Sequence, residues 1–470
     1  MGLSRRNMLA LLAALTFAPG RARAVGAVTI RLDSERRLRA IPAGFIGLSY
    51  EISSVAVPGL LSANNLPYVQ MVRNLGPQGV IRVGGNTSDF SSYQADGAPR
   101  SLPKSTLVNA DNLRQLRDFL DAIGWKLLWG LNLGSDRLDN AVEEARAVAN
   151  IMGNRLLALE IGNEPDLFKN SGHRTGIYNY TAWHKEYRRY KAAIRATLPQ
   201  VPFAGPDIAG GEVDWMESFA RDEGNDIGLL TAHHYIADQA NPASTIKLML
   251  QEEKNYRSVL AKFQAIAKSA DLPYRLCETA TYSGGGKVGA SDTFAAALWA
   301  LDYLFVLVSY GCTGVNMQTG ANHFGWISHY TPVSDDMAGH YGAAPEYYGL
   351  LAFAQAARGE QITAACDNAG INLTAYATRQ ISGTMTLTVI NKELRQDAKV
   401  EVIGAALRSA RVMRLSAPLI SATDGVMLGG TSVRGDGTWK ASQADPVKIV
   451  RGKALLAVPA GSAALIALTA

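Results

Sequence analysis

The sequence is poor in cysteine: 470 residues carry three, Cys277, Cys312 and Cys366, with no CxxC and no Cys/His spacing. That excludes a disulfide-dense scaffold and leaves no zinc-binding pattern, so no metal is expected. Charge is also sparse, at 19% of residues, and no Lys/Arg run exceeds a pair. A surface that grips a polyanion needs clustered cations, so nucleic acid is not an expected partner. Nucleotide loops are missing as well. Gly84-Gly85 and Gly284-Gly285-Gly286 come nearest, but neither is followed by Lys-Ser/Thr and neither fits GxGxxG after a first strand. No internal repeat or low-complexity linker is present, so the domains are expected to pack against one another.

The N-terminus reads as a targeting segment. Ser4-Arg5-Arg6-Asn7-Met8-Leu9 opens on paired arginines, residues 8–18 are apolar, and Ala22-Arg23-Ala24 has the small residues of a cleavage site. This is the pattern of a bacterial twin-arginine export signal over residues 1–24, with a periplasmic or secreted destination. The apolar run, about 11 residues, falls short of the roughly 20 that span a bilayer, so no membrane anchor is expected. Without residues 1–24 the formal charge falls from +5 to +1.

What is present is alternation. Residues 28–38 alternate like a strand. Strand-like runs then recur, ending at Glu51, Asn86, Asn132, Glu164, Asp207, His234 with Tyr235, Glu278 and Gln318. Amphipathic segments such as 111–123, 138–152, 180–197 and 293–310 separate them. Eight such units over about 300 residues predict a (β/α)₈ barrel spanning 41–355. Beyond it, period-two stretches such as Thr384-Met385-Thr386-Leu387-Thr388-Val389-Ile390 with Asp-Gly turns predict an antiparallel β-sandwich over 356–470. Residues 25–40 cannot belong to the barrel and are expected to complete that sandwich.

Glu160-Ile161-Gly162-Asn163-Glu164-Pro165-Asp166 organises the chemistry. It follows the apolar run Leu156-Leu157-Ala158-Leu159, and Pro165 removes a backbone donor and stops the strand. Asn163 and Glu164 therefore sit at the C-terminal mouth of the fourth strand, where parallel barrels place their active sites. Tyr274-Arg275-Leu276-Cys277-Glu278-Thr279 puts a second carboxylate at the mouth of the seventh. Polar residues at every strand end suit a pocket that hydrogen-bonds many hydroxyls, as a sugar site does.

With these motifs the chain resembles the retaining (β/α)₈ glycosidase clan. More closely it resembles glycoside hydrolase family 79, the heparanase and β-glucuronidase family, over essentially all of the chain after the leader. The resemblance rests on Ile81-Arg82-Val83-Gly84-Gly85, Trp129-Gly130-Leu131-Asn132, Asn163-Glu164-Pro165, His233-His234-Tyr235, and Glu278-Thr279 followed by Gly284-Gly285-Gly286. It implies a barrel-plus-sandwich enzyme needing no cofactor, with Glu164 as acid/base and Glu278 as nucleophile. The two carboxyls should lie about 5–5.5 Å apart. It further implies a hydrogen bond from Tyr235 to Glu278, and Asn163 on the sugar 2-hydroxyl. Glu51, Asn86, His234 and Gln318 complete the implied substrate contacts.

The chain departs from the family where a uronic-acid carboxylate is held. The expected tyrosine after the nucleophile is replaced by Ser283, with Tyr282 one residue earlier and Gly284 and Gly285 in place. A second expected tyrosine is replaced by Trp326, with Tyr330 further along. Tyr282, Trp326 and Tyr330 are thus candidates for closing over the sugar's C6 end, and His323 and His329 are candidate cationic contacts. The leading expectation is an exo-acting β-glucuronidase. The alternatives are a retaining enzyme for a neutral sugar (β-glucosidase or β-xylosidase type), a heparanase-like endo-β-glucuronidase, and a barrel that binds carbohydrate without turnover.

Overall fold

The computed structural model describes residues 25–320, 328–404, 407–442 and 444–469. The export signal assigned to residues 1–24, and Trp326 and His323, lie outside the described residues.

Eight parallel strands form the barrel: β1 (Ile46–Glu51), β2 (Val80–Gly84), β3 (Lys126–Leu131), β4 (Leu156–Ile161), β5 (Ala204–Ile208), β6 (Leu229–Asp238), β7 (Tyr274–Ser283) and β8 (Val315–Gln318). The ladder runs β4-β3-β2-β1-β8-β7-β6-β5. A parallel bridge between Leu159 and Phe203, with Leu159 N–H donating to the Pro202 carbonyl at 2.9 Å, joins β4 to β5 and closes it. Each strand is followed by a helix: α1 (Leu66–Asn74), α2 (Ala110–Ile123), α3 (Leu138–Met152), α4 (Tyr180–Thr197), α5 (Val213–Glu223), α6 (Lys254–Ala270), α7 (Phe294–Ser309) and α8 (Pro345–Ala356).

Local chemistry explains several boundaries. The Asn109 side chain accepts from Asn112 N–H at 2.9 Å and Asn112 returns the bond, a reciprocal cap that starts α2. Gly124, in left-handed backbone, ends that helix. Helices α7 and α8 have no polar face over most of their length, and nearly all their residues are buried. A helix apolar all round must be covered on all sides, and here the second domain supplies the cover. Phe305 of α7 stacks on Tyr376 at 4.7 Å, and Asp302 accepts from Lys392, Thr374 and Tyr376.

That second domain is one eleven-stranded, largely antiparallel sheet. Its principal strands are β9 (Glu360–Asp367), β10 (Leu373–Arg379), β11 (Met385–Asn391), β12 (Asp397–Ile403), β13 (Ser409–Ser416), β14 (Lys453–Val458) and β15 (Ser462–Thr469). The N-terminal strand Val25–Ala40 enters it between β9, antiparallel, and β12, parallel. The start of the chain therefore ties into the C-terminal domain before the barrel begins, and the two domains pack as one body.

Candidate active site

Strand β4 ends at Ile161, and the next residues turn sharply. Gly162 has φ +84° and Glu164 φ +49°, and Pro165 opens a single 3₁₀ turn, Pro165–Leu167. The Glu164 N–H donates to the Asp207 carbonyl at 2.9 Å, which pins the turn to the end of β5. This delivers the Glu164 carboxyl to the barrel mouth. Glu278 reaches the same space from β7. The ligating atoms of Glu164, Glu278 and His233 all lie within 4.8 Å of one another.

Glu278 is held from two sides. Arg82 Nη1 donates to its Oε2 at 2.6 Å, and the Tyr235 hydroxyl donates to its Oε1 at 2.7 Å. Both contacts are to donors, which suits a carboxylate that attacks rather than an acid that donates. Glu164 is held by His233, whose Nδ1 lies 2.9 Å from Oε1, and the other imidazole nitrogen meets Asp207 Oδ1 at 2.8 Å.

Arg82 is the hub. Fully buried on β2, it reaches Glu278, Asp207 (2.7 Å), Glu160 (3.2 Å) and Asn163 Oδ1 (2.9 Å). Burial alone would raise Asp207, but Arg82 and His233 more than offset it and hold its carboxyl below the usual range. Burial alone would lower His233, but the facing Asp207 keeps it well above an ordinary histidine. A protonated His233 donates from both nitrogens, one to Glu164 and one to Asp207, and so fixes the orientation of the Glu164 carboxyl. Burial and the charge of Asp207 push Glu160 up to about 7, against Arg82 and His233. The lumen thus balances Arg82 and His233 against Asp207 and Glu278, with Glu160 as a titrating reserve. The two sets of atoms close enough to hold a metal, Asp207/His233/Cys277 and Glu164/His233/Glu278, are parts of this lattice. Both nitrogens of His233 are already engaged there.

The cavity above has a volume of about 530 Å³. Glu51, Asn86, Gln318, Tyr235, Tyr330, Gly284 and Gly285 all line it, together with the two glutamates. Glu51 Oε2 accepts from Thr87 N–H at 2.8 Å and Oγ1 at 2.7 Å; burial and then the charge of Glu278 push this carboxyl up to about 7. Gly85 is required beside it, since a Cβ there would sit 2.4 Å from the Glu51 carboxylate. Gln318 Oε1 and Ser54 Oγ are buried without a partner among the described residues, so acceptor capacity remains for a ligand. Asn86 lines the cavity, and Asn163 Nδ2 donates to it at 3.3 Å.

Three expected contacts are corrected. His234 points out of the barrel, stacked on Tyr256 at 3.3 Å with Nε2 3.0 Å from Glu253. Successive strand residues face opposite sides, so with Tyr235 facing the lumen it is His233 that shares its side. Tyr282 is buried with its hydroxyl donating to the Thr245 carbonyl, and the cavity wall passes instead through Ser283, Gly284 and Gly285. His329 lies 3.7 Å from Asp292 and does not line the cavity. Ser283 Oγ donates to Asp238 Oδ2 at 3.1 Å.

Arg82, His233, Asp207 and Glu160 were not singled out as site residues by the sequence. A lone arginine inside the otherwise apolar Val80-Ile81-Arg82-Val83 was the available signal, because such a charge demands carboxylate partners.

No family model matches the sequence. A β-glucuronidase of Aspergillus niger is 28% identical over 334 residues, 62% of this chain and 60% of the relative. Mouse heparanase is 23% identical over 367 residues, 66% of this chain and 68% of the relative. The chain thus matches about three fifths of the length of the fungal relative. Among solved structures, a 4-O-α-L-rhamnosyl-β-D-glucuronidase of Fusarium oxysporum 12S superposes with a TM-score of 0.76 at 18% identity. That superposition covers 93% of this chain and 99% of the other, and bears on fold alone. The chain is thus similar in sequence to both a β-glucuronidase and a heparanase, a likeness that supports the heparanase and β-glucuronidase family, glycoside hydrolase family 79, and it shares the fold of a solved glycosidase.

Proposed function

We propose that the protein is a retaining β-glycosidase that removes one terminal sugar, with β-glucuronic acid as the favoured glycone. The observation that carries this is the approach of the Glu164 and Glu278 oxygens to within 4.8 Å at the barrel mouth. Retaining enzymes keep their carboxyls about 5–5.5 Å apart, whereas inverting ones need roughly 6.5–9.5 Å to admit a water.

In the first step the Glu278 carboxylate attacks the anomeric carbon. The glycosidic C–O bond breaks, and Glu164 protonates the departing oxygen. In the second, Glu164 takes a proton from water, the water oxygen attacks the anomeric carbon, and Glu278 leaves as carboxylate. Arg82 and Tyr235 hold Glu278 aligned throughout, and His233 holds Glu164. Glu51, Asn86 and Gln318 are assigned to the sugar hydroxyls, with Asn163 behind Asn86. Gly284, Gly285 and Tyr330 are assigned to the C6 end. The role expects no metal, since two carboxyls supply all the proton transfers; activity that a chelator abolishes and a divalent ion restores would contradict it.

A β-glucuronidase relative favours the uronic acid. One observation favours a neutral sugar instead: no Lys, Arg or His lines the cavity among the described residues, and Ser283 is bonded to a carboxylate, Asp238. The same lack of cations argues against endo-attack on a sulfated chain. The test is the ratio of kcat/KM for aryl β-glucuronide over aryl β-glucoside. A ratio above about 10³ is expected for a dedicated carboxylate site, because the neutral sugar would leave buried donors unpaired. A ratio near or below one would replace the uronate with a neutral hexose, and no turnover of either would favour a carbohydrate-binding barrel. Export through residues 1–24 is part of the proposal, and N-terminal sequencing of the mature protein, expected to begin at Val25, checks it.

A further inference from the structure

The cavity is chemically divided. Around Glu278 its wall is polar, with Glu51, Asn86 and Gln318. Beside Glu164 it also includes three apolar side chains. The last residue of the acid's turn is Leu167, 36% exposed although large and apolar. Facing the same space are Ala209 and Ala237. The first follows the end of β5, and the second lies on neighbouring β6.

This apolar side is rigidly built. Leu167 N–H donates to the Glu164 carbonyl at 2.8 Å, and the Leu167 carbonyl accepts from Asn170 at 2.8 Å and Ser171 at 2.9 Å. Ala209 N–H donates to Asp166 Oδ1 at 3.0 Å, which locks the β5 end to the turn carrying Glu164 and Leu167. A large hydrophobe left about a third in water on a fixed backbone gains by being covered.

The acid must stand beside the oxygen it protonates, so the leaving group lies on Glu164's side of the cavity. We propose that Leu167, with Ala209 and Ala237, forms an aglycone subsite for an apolar, uncharged leaving group, and that Leu167 is a specificity-determining residue. This rests on the glycosidase reading above. A polyhydroxylated or sulfated leaving group would find no donor, acceptor or cation in these three side chains. An aromatic or alkyl aglycone would bury Leu167 and be covered by it. Such a substrate is a sugar conjugate of a hydrophobic alcohol or phenol rather than an internal unit of a charged polysaccharide.

The test compares wild type, Leu167→Ser and Leu167→Met on two substrates sharing the glycone that the wild type turns over fastest. One is the 2-naphthyl β-glycoside, and the other the β-glycosyl fluoride, whose leaving group is too small to reach Leu167. Leu167→Ser is expected to lower kcat/KM for the naphthyl glycoside about tenfold, the scale of one lost apolar contact. It should leave the fluoride within twofold, and Leu167→Met should restore most of the loss. Equal loss on both substrates, or loss on neither, overturns the subsite. A wild type inactive on the fluoride would instead overturn the glycosidase reading, so the two failures are distinguishable.

Discussion

The barrel lumen holds two fully buried arginines at opposite ends, and they live by different chemistry. Arg82, toward the mouth, meets three carboxylates. Arg275, three residues before Glu278 on β7, meets Asn316 Oδ1 at 2.6 Å and the carbonyls of Gly44, Phe45 and Val315 at 3.1, 3.2 and 3.1 Å. No carboxylate bonds it among the described residues. Burial accordingly lowers Arg275 to about 10, whereas at Arg82 the charges of Asp207, Glu160 and Glu278 more than offset the same desolvation. Space for Arg275 is made by glycine: a Cβ at Gly314 would lie 1.7 Å from its Nη1. One arginine plugs a barrel by satisfying carbonyls; the other ties three carboxylates together beneath the mouth, and in the proposed mechanism it positions Glu278. The same side chain is structural or electrostatic according to what faces it.

Four expected outcomes test this contrast. The largest concerns the far end of the Arg82 lattice. Glu164→Gln should slow glycosides with poor leaving groups by about 10²–10⁴-fold, the span of general-acid catalysis, and leave the first step on activated aryl glycosides nearly intact. Pre-steady-state rates on both classes check it, and equal loss on both at that step would remove Glu164 from the acid role.

Next come the arginines themselves. Arg82→Met should lower kcat by about 10²–10³-fold, as loss of a preorganised charged donor does. Arg275→Met should leave the kcat of the folded fraction within about threefold and cost about 1–3 kcal/mol of stability through its orphaned carbonyls. Kinetics paired with urea unfolding separate the two, and similar kcat losses would break the comparison.

The smallest effect lies outside the lumen. Glu144 on α3 is buried with one bond, from Trp129 Nε1 at 3.0 Å, and burial pushes it up to about 8. The folded state therefore binds this proton more tightly than the unfolded chain does. Its contribution to stability is full below about pH 4.5 and is lost progressively as pH rises to about 8. Glu144→Gln should remove a few kcal/mol of that decline between pH 5 and 8, with kcat unchanged. Unfolding curves at both pH values check it, and an unchanged decline would contradict it.

How legible the molecule was in its sequence follows from the same physics. The barrel could be read because each buried strand is a short apolar run closed by a polar residue, and each helix carries its own period. Residues 138–152 and 180–197 were expected as helical segments, and α3 and α4 have those bounds. The N-terminal strand could be assigned to the second domain because it preceded the first barrel unit. The placing of Glu164 and Glu278 at the barrel mouth was legible because strand ends are where polar groups meet solvent. The lattice beneath them was not. Arg82, Glu160 and His233 lie within the strands, and their pairing spans up to 196 residues of sequence, as between Arg82 and Glu278. The sequence does not separate His233 from His234, because a doublet of histidines does not declare which member faces inward. The inward-facing expectation for Tyr282 fails because the segment after β6, whose Thr245 carbonyl holds its hydroxyl, leaves no periodic trace in the sequence.

The central claim is that Glu278, oriented by Arg82 and Tyr235, forms the covalent bond to the sugar. A 2-deoxy-2-fluoro-β-glycosyl fluoride of the preferred glycone slows the second step more than the first and so accumulates the intermediate. Intact-mass and peptide mass spectrometry of the inactivated protein should find one equivalent of fluorosugar, on the peptide containing Glu278 and absent from Glu278→Gln. Label on Glu164 or another residue, or time-dependent inactivation without any covalent adduct, would contradict the account.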